Sequence, residues 1–184
     1  MYVPIKKVCF IGAGTMGCFN SLLASAAGYE CVIYDACEES LKNRASNQAK
    51  LADFLNHDNF FKGVDVNAAI KKIYDCSDLK FALDGVDLVS ESILENLELK
   101  KKLFQELEGL VSKKTIITTN TSGLSLEVLS NQFSTKHQFA AMHFHLGSRL
   151  VDIVRGTHTS EETIISIKTF VETLGCGGII YKNR

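Results

Sequence analysis

A single proline, Pro4, stands in 184 residues, where average usage would supply roughly nine. No low-complexity tract, internal repeat or convincing linker interrupts the chain, so one domain over 1–184 is expected. Net charge is nearly absent as well, at -1, which leaves no basic field for nucleic acid and none for an anionic membrane surface. No apolar run approaches the roughly 18 residues of a membrane span, and the N-terminus lacks a signal-peptide layout. The expected location is therefore cytoplasmic, or an organelle lumen reached without a retained signal. The six cysteines show no CxxC pair and no metal-ligand rhythm, which argues against a zinc ribbon or a disulfide scaffold and for buried, reduced thiols. A hydrophobic content of 46% with 22% charged residues describes an ordinary globular protein large enough for a sizeable core.

What is present is concentrated first between Lys7 and Asp35. An apolar run over 8–12 leads into Gly12-Ala-Gly14-Thr15-Met16-Gly17, a helix-like segment follows, and a second apolar run over 31–34 closes on Asp35. Strand, glycine turn, helix, strand and terminal acid make a dinucleotide-binding pattern. Gly12 permits the tight turn, Gly14 lets backbone approach a pyrophosphate, and Gly17 allows close helix packing. The phosphates would sit on the free amides of the helix start. Asp35, 18 residues past Gly17, would accept from the ribose hydroxyls and repel a 2'-phosphate, favouring NAD over NADP.

Further along, Leu41, Ala45, Ala49, Ala52 and Leu55 recur at helical spacing. They predict an amphipathic helix over 38–55 with Lys42, Arg44 and Lys50 on a solvated face. A connection over 57–66 precedes an expected strand at 70–74 and a short helix at 77–83. Then come a central strand at 86–90, a long helix at 97–111 and a strand at 115–118 that breaks at Asn120-Thr121-Ser122-Gly123. A short helix at 124–129 and strands at 139–144 and 150–154 follow. Thr159 with Glu162 reads as a capping box for a last helix reaching Leu174, before a closing strand at 178–181. Strands alternating with helices predict an α/β fold, a Rossmann-type doubly wound, mainly parallel sheet with helices on both faces. Ligands of such sheets bind at the carboxyl ends of the strands, where Asp35, Glu91, Glu95, Asn120, Ser122, His143 and Asp152 fall. His145 shares a strand face with His143 and reads as structural or surface. His57, His137 and His158 sit in loop-like surroundings, and no metal site is suggested.

With those strand ends in hand, the chain resembles the NAD-binding domain of the 3-hydroxyacyl-CoA dehydrogenase family, which also includes gulonate dehydrogenase-like members. The likeness rests on GAGTMG at 12–17, Asp35, DLVSESILENLELKKKLF at 87–104, NTSGL at 120–124, MHF at 142–144, LVDIVRG at 150–156, and TSEET followed by LG at Leu174. The resemblance implies NAD as cofactor and reversible oxidation of a 3-hydroxyacyl-CoA to the 3-ketoacyl-CoA, the chemistry of fatty-acid β-oxidation. It implies that Gly12, Gly14, Gly17 and Asp35 hold the adenosine half of NAD, with Thr15 and Met16 of the same turn also binding the cofactor. Glu95 and Lys100 would contact the cofactor near the nicotinamide side, and Asn120 would also bind the cofactor. Ser122 would hydrogen-bond both cofactor and substrate oxygen, and His143 would be the general base. An imidazole titrates near neutral pH, and a hydroxyl donor steadies charge developing on the reacting oxygen.

Three departures fall on this chemistry. Family members follow the catalytic histidine with an Asn-Pro loop, whereas here Leu146 stands at the asparagine position and no proline follows. The family places an orienting glutamate 12 residues after the histidine; here that position is Arg155, and the acid, Asp152, comes nine residues on. Finally, the family's helical second domain begins with a Pro-Gly-Phe segment beyond the point this chain reaches. The family's CoA-holding serine and lysine also have no clear match over 51–61. The expected partners are a small-molecule substrate, most readily an acyl-CoA thioester, and a second copy or a separate helical domain. Two other functions stay open: a non-catalytic NAD-binding or interaction module, and a dehydrogenase of a free small hydroxy acid.

Overall fold

Alternation along the first strand sets the layers. In β1 (Lys7–Ile11), Val8 and Phe10 enter one apolar cluster while Cys9 and Ile11 enter another. A strand buried on both faces belongs in the middle of a parallel sheet. The computed structural model describes residues 4–56 and 60–182 and places β1 there. The other strands are β2 (Glu30–Tyr34), β3 (Tyr74–Cys76), β4 (Leu88–Glu91), β5 (Ile116–Thr119), β6 (Phe139–Phe144), β7 (Leu150–Arg155) and β8 (Gly177–Lys182). They form one sheet in the order β3-β2-β1-β4-β5-β6-β7-β8. Only β6 and β7 pair antiparallel among the described residues.

Helices cover both faces. Side chains of α1 (Thr15–Ala26), α2 (Glu38–Leu55), α3 (Val66–Lys71) and α7 (Glu161–Thr173) join the first cluster. Those of α4 (Leu79–Ala82), α5 (Leu97–Glu108) and α6 (Leu126–Ser130) join the second. This is the doubly wound sheet expected from the sequence, with its topological switch between β1 and β4.

Four local expectations need correction. The strand at 70–74 does not form: Ile70 and Lys71 belong to α3, and β3 begins at Tyr74. Asp65 caps α3 by accepting from the Ala68 amide at 2.9 Å, so a short apolar run was claimed by a capped helix. Arg44 is 5% exposed rather than solvated; it donates to both carboxylate oxygens of Asp75, to Gln48 and to the Ile70 carbonyl. The cap of α7 is Ser160, which accepts from the Thr163 amide. Thr159 instead donates to the Phe139 carbonyl at 2.6 Å and accepts from the Gly156 amide. All six cysteines are free thiols, but Cys37 is exposed. No helix among the described residues is long and apolar enough to cross a membrane. His57 lies outside the described residues.

Candidate active site

The glycine turn closes under two steric demands. Gly12 adopts φ +103 and passes so near the loop after β4 that an added Cβ would stand 2.9 Å from the Ser92 carbonyl oxygen. A Cβ on Gly17 would stand 1.7 Å from the Gly12 carbonyl oxygen, so the first turn of α1 rests directly on the bend. Gly14 is different: nothing lies within 4 Å of the position its Cβ would take, and it faces open space at the N-cap of α1, where no side chain caps the helix. Helix-start amides beside an unobstructed glycine make an anion cradle. Thr15 and Met16 complete the turn, with Thr15 exposed and Met16 half-buried.

Asp35, half-buried at the end of β2, does a job the motif did not disclose. One carboxylate oxygen accepts from the Ala13 amide and the other from the Cys37 amide, both at 2.8 Å. The acid thus ties the glycine turn to the strand that would present it to a ribose. A cavity of about 690 Å³ opens beside the turn, lined by Gly14, Thr15, Cys37, Asn43 and Lys50 among others.

Past the switch point, a buried ion pair joins β4 to α5. The Lys100 ammonium, 1% exposed, sits 2.5 Å from Glu91, 0% exposed, and 3.4 Å from Glu95. Glu91 also accepts from the Ile93 amide and the Thr119 hydroxyl. Lys100, expected beside the cofactor, has its stem turned inward by helical phase, with the ammonium held between Glu91 and Glu95. Glu91, given no role by the sequence reading, is its main partner. Glu95 remains half-exposed and reaches along the chain to accept from the Thr121 hydroxyl and the Ser122 amide. Burial raises its pKa, but the Thr121 hydrogen bond and the Lys100 charge outweigh that and hold it below the ordinary carboxylate value. Asn120 accepts from the Phe144 amide through its side chain at 2.9 Å and donates its own amide to the Glu91 carbonyl, which locks the carboxyl ends of β4, β5 and β6 together.

Ser122, His143 and Asp152 line one cavity of about 450 Å³ with Thr121, Ala141 and Tyr181. The hairpin explains the acid's position: antiparallel register sets His143 opposite Asp152, so their side chains rise from the same face. The shortened loop therefore still delivers a carboxylate. Its hydrogen bond, however, goes elsewhere. Asp152 lies 3.0 Å from His145 Nε2 and 3.8 Å from His143 Nδ1, the second distance being beyond hydrogen-bond reach. His145, read from the sequence as structural or surface, faces His143 edge-on with ring centroids 4.3 Å apart. Burial, assisted by His145, pushes the His143 imidazole below its ordinary value against the opposing pull of Asp152. The period-two spacing of 143 and 145 was the signal for this pairing, although β6 ends at Phe144; what it lacked was the position of Asp152.

The chain matches the family described as 3-hydroxyacyl-CoA dehydrogenase, NAD binding domain, over residues 7–184. The mitochondrial hydroxyacyl-coenzyme A dehydrogenase of Sus scrofa is 32% identical over 181 residues, covering 94% of this chain and 58% of that protein. A solved diketoreductase superposes with a TM-score of 0.91 at 26% identity, over 99% of this chain and 66% of that one. The (S)-3-hydroxybutyryl-CoA dehydrogenase from Ralstonia eutropha does so with a TM-score of 0.90 at 28% identity, over 98% and 64%.

Proposed function

Because the chain belongs to the 3-hydroxyacyl-CoA dehydrogenase family through its NAD-binding domain, we propose that it acts in the reversible NAD-linked oxidation of a 3-hydroxyacyl-CoA to the 3-ketoacyl-CoA. The chain spans 58% of the length of the Sus scrofa relative, and the reading is for its own residues. The observation that carries it is the meeting of Ser122 and His143 in one cavity at the carboxyl ends of β5 and β6, with a carboxylate opposite.

The residues fit NAD: the cradle at Gly14 is open, α1 starts uncapped, and Asp35 stands at the end of β2. Gly12, Gly14, Thr15, Met16, Gly17 and Asp35 would hold the adenosine side, and Glu95, Asn120 and Ser122 the nicotinamide side. Lys100 acts one step removed, by fixing Glu91 and Glu95. When bound, NAD supplies the hydride acceptor. His143 takes the proton of the substrate hydroxyl through Nε2, and a neutral ring suits that role. Ser122 donates to the same oxygen as its charge grows. Asp152 balances the imidazolium from 3.8 Å, closing in or acting through water.

The test is NADH oxidation with acetoacetyl-CoA. His143→Gln should abolish turnover and leave NADH affinity nearly unchanged; unaltered turnover removes His143 from the mechanism. One observation favours a second reading, a non-catalytic NAD-binding module: Asp152 gives its hydrogen bond to His145. NADH binding without any acetoacetyl-CoA reduction at high protein concentration would select it. Exposed Leu150, Ile179 and Ile180 along β7 and β8 support a covering partner, either a second copy or a separate helical domain, and sedimentation decides between them. A cytoplasmic site of action completes the reading and is checked by cell fractionation.

A further inference from the structure

The two histidines and the acid at the β6–β7 hairpin have a use that proton transfer does not exhaust. His143 projects from β6, His145 follows one residue past the end of that strand, and Asp152 comes from the facing strand opposite His143. One ligand atom from each, a ring nitrogen or a carboxylate oxygen, lies within 4.8 Å of the other two. Bond lengths of roughly 2.0–2.2 Å to zinc place neighbouring ligand atoms about 3.0–3.5 Å apart. The contacts from Asp152 to His145 and His143, 3.0 and 3.8 Å, bracket that range, and the half-exposed side chains have room to close the rest. We propose that His143, His145 and Asp152 form a site for a divalent transition-metal ion, Zn2+ being the reference case, whose occupancy switches off the base.

Donor chemistry selects the ion. Two imidazoles and one carboxylate suit zinc, cobalt, nickel or copper, whereas magnesium and calcium demand oxygen ligands. His143 and Asp152 line a cavity of about 450 Å³, and three protein ligands leave a fourth coordination position for water. The sheet register sets His143 and Asp152 in place and the Asp152 hydrogen bond holds His145, so little ordering is left for an ion to impose.

The consequence for catalysis follows from the ring. A neutral imidazole has one donor nitrogen and one acceptor. The nitrogen of His143 that faces Asp152 is Nδ1, and a metal there needs its lone pair. The single ring proton must then reside on Nε2, which becomes a donor and can no longer accept the substrate proton. No bond is broken and no oxidant is needed; the ring proton moves from Nδ1 to Nε2. This second half rests on the dehydrogenase reading, while the metal site itself does not.

Calorimetric titration of Zn2+ into chelator-treated protein, with no nucleotide or thioester present, tests the site alone. One equivalent should bind, and Mg2+ should not compete. His145→Ala should weaken Zn2+ binding by more than the ~10-fold expected for losing an outer partner, and Asp152→Asn should do likewise, both with unchanged circular dichroism. A His137→Ala/His158→Ala variant should bind as before, since both histidines are exposed and neither belongs to the cluster. Absence of stoichiometric uptake, equal affinity in His145→Ala, or loss of binding in the double variant would overturn the site. In the acetoacetyl-CoA assay Zn2+ should inhibit reversibly, with activity restored by chelator; stoichiometric binding without inhibition overturns the switch and leaves the site standing.

Discussion

Replacing Lys100 with methionine keeps the stem and removes the ammonium, which isolates the electrostatic work of the β4–α5 junction. Glu91 is 0% exposed and Lys100 1% exposed, at 2.5 Å, so the substitution strands a carboxylate with no countercharge. Breaking such a buried pair on one side destabilises by about 3–5 kcal/mol. Glu91 keeps the Ile93 amide at 2.7 Å and the Thr119 hydroxyl at 2.5 Å, and hydrogen bonds to a charged group hold about 1.5–3 kcal/mol each, so the lower end applies, about 3 kcal/mol. For a domain of this size each kcal/mol moves the midpoint by about 2–4 °C, giving a fall of about 6–12 °C. Thermal and urea unfolding read it directly. Adding Glu91→Gln removes the stranded charge and should recover at least half of the loss. A single-variant shift below about 1 kcal/mol, well short of the loss expected for a broken buried pair, or a double variant no more stable than Lys100→Met, would refute the idea that Lys100 works by neutralising Glu91. NADH affinity should also drop in Lys100→Met, because Glu95 loses the ammonium 3.4 Å away.

Gly17→Ala places a Cβ 1.7 Å from a backbone oxygen, which cannot yield as a flexible side chain would; destabilisation at or above the ~1–3 kcal/mol of ordinary overpacking is expected in urea melts. Asp35→Ala removes the acceptor of two backbone amides at 2.8 Å; with partial solvent access to discount the loss, stability should fall by about 1–2 kcal/mol, and fluorescence titration should show NADH binding weakened more than NADPH binding. With metals chelated, the acidic limb of the pH profile for kcat/KM should lie below an ordinary imidazole value. The sign follows because burial lowers the His143 pKa and the base must be neutral to work, so it stays competent to lower pH. A limb above the ordinary value would contradict the burial of that ring.

The glycine turn, its helix and Asp35 were legible because each demand is local: a turn, an uncapped helix start and an acid at a strand end are neighbours in the chain. The central place of β4 was legible for the same reason, in the apolar run at 86–90. The strand expected at 70–74 failed because six residues hold too little periodicity to separate a short helix from a strand, and the Asp65 cap decided it. In sequence Arg44 looks like a surface cation and Lys100 like a cofactor contact. Their burial depends on Asp75 and Glu91, and only the sheet brings Asp75 to the arginine.

By itself, then, the amino-acid order determined the α/β class, the cofactor cradle and the identity of the residues at the strand ends, since these follow from periodicity and turn chemistry over short spans. Which carboxylate meets which base was decided only in three dimensions. Strand β7 runs antiparallel to β6, and that register sets Asp152 between two imidazoles, nearer the one the sequence had left without a role. Side chains compete for a partner through distance, and the distance is set by pairing between strands rather than by separation along the chain.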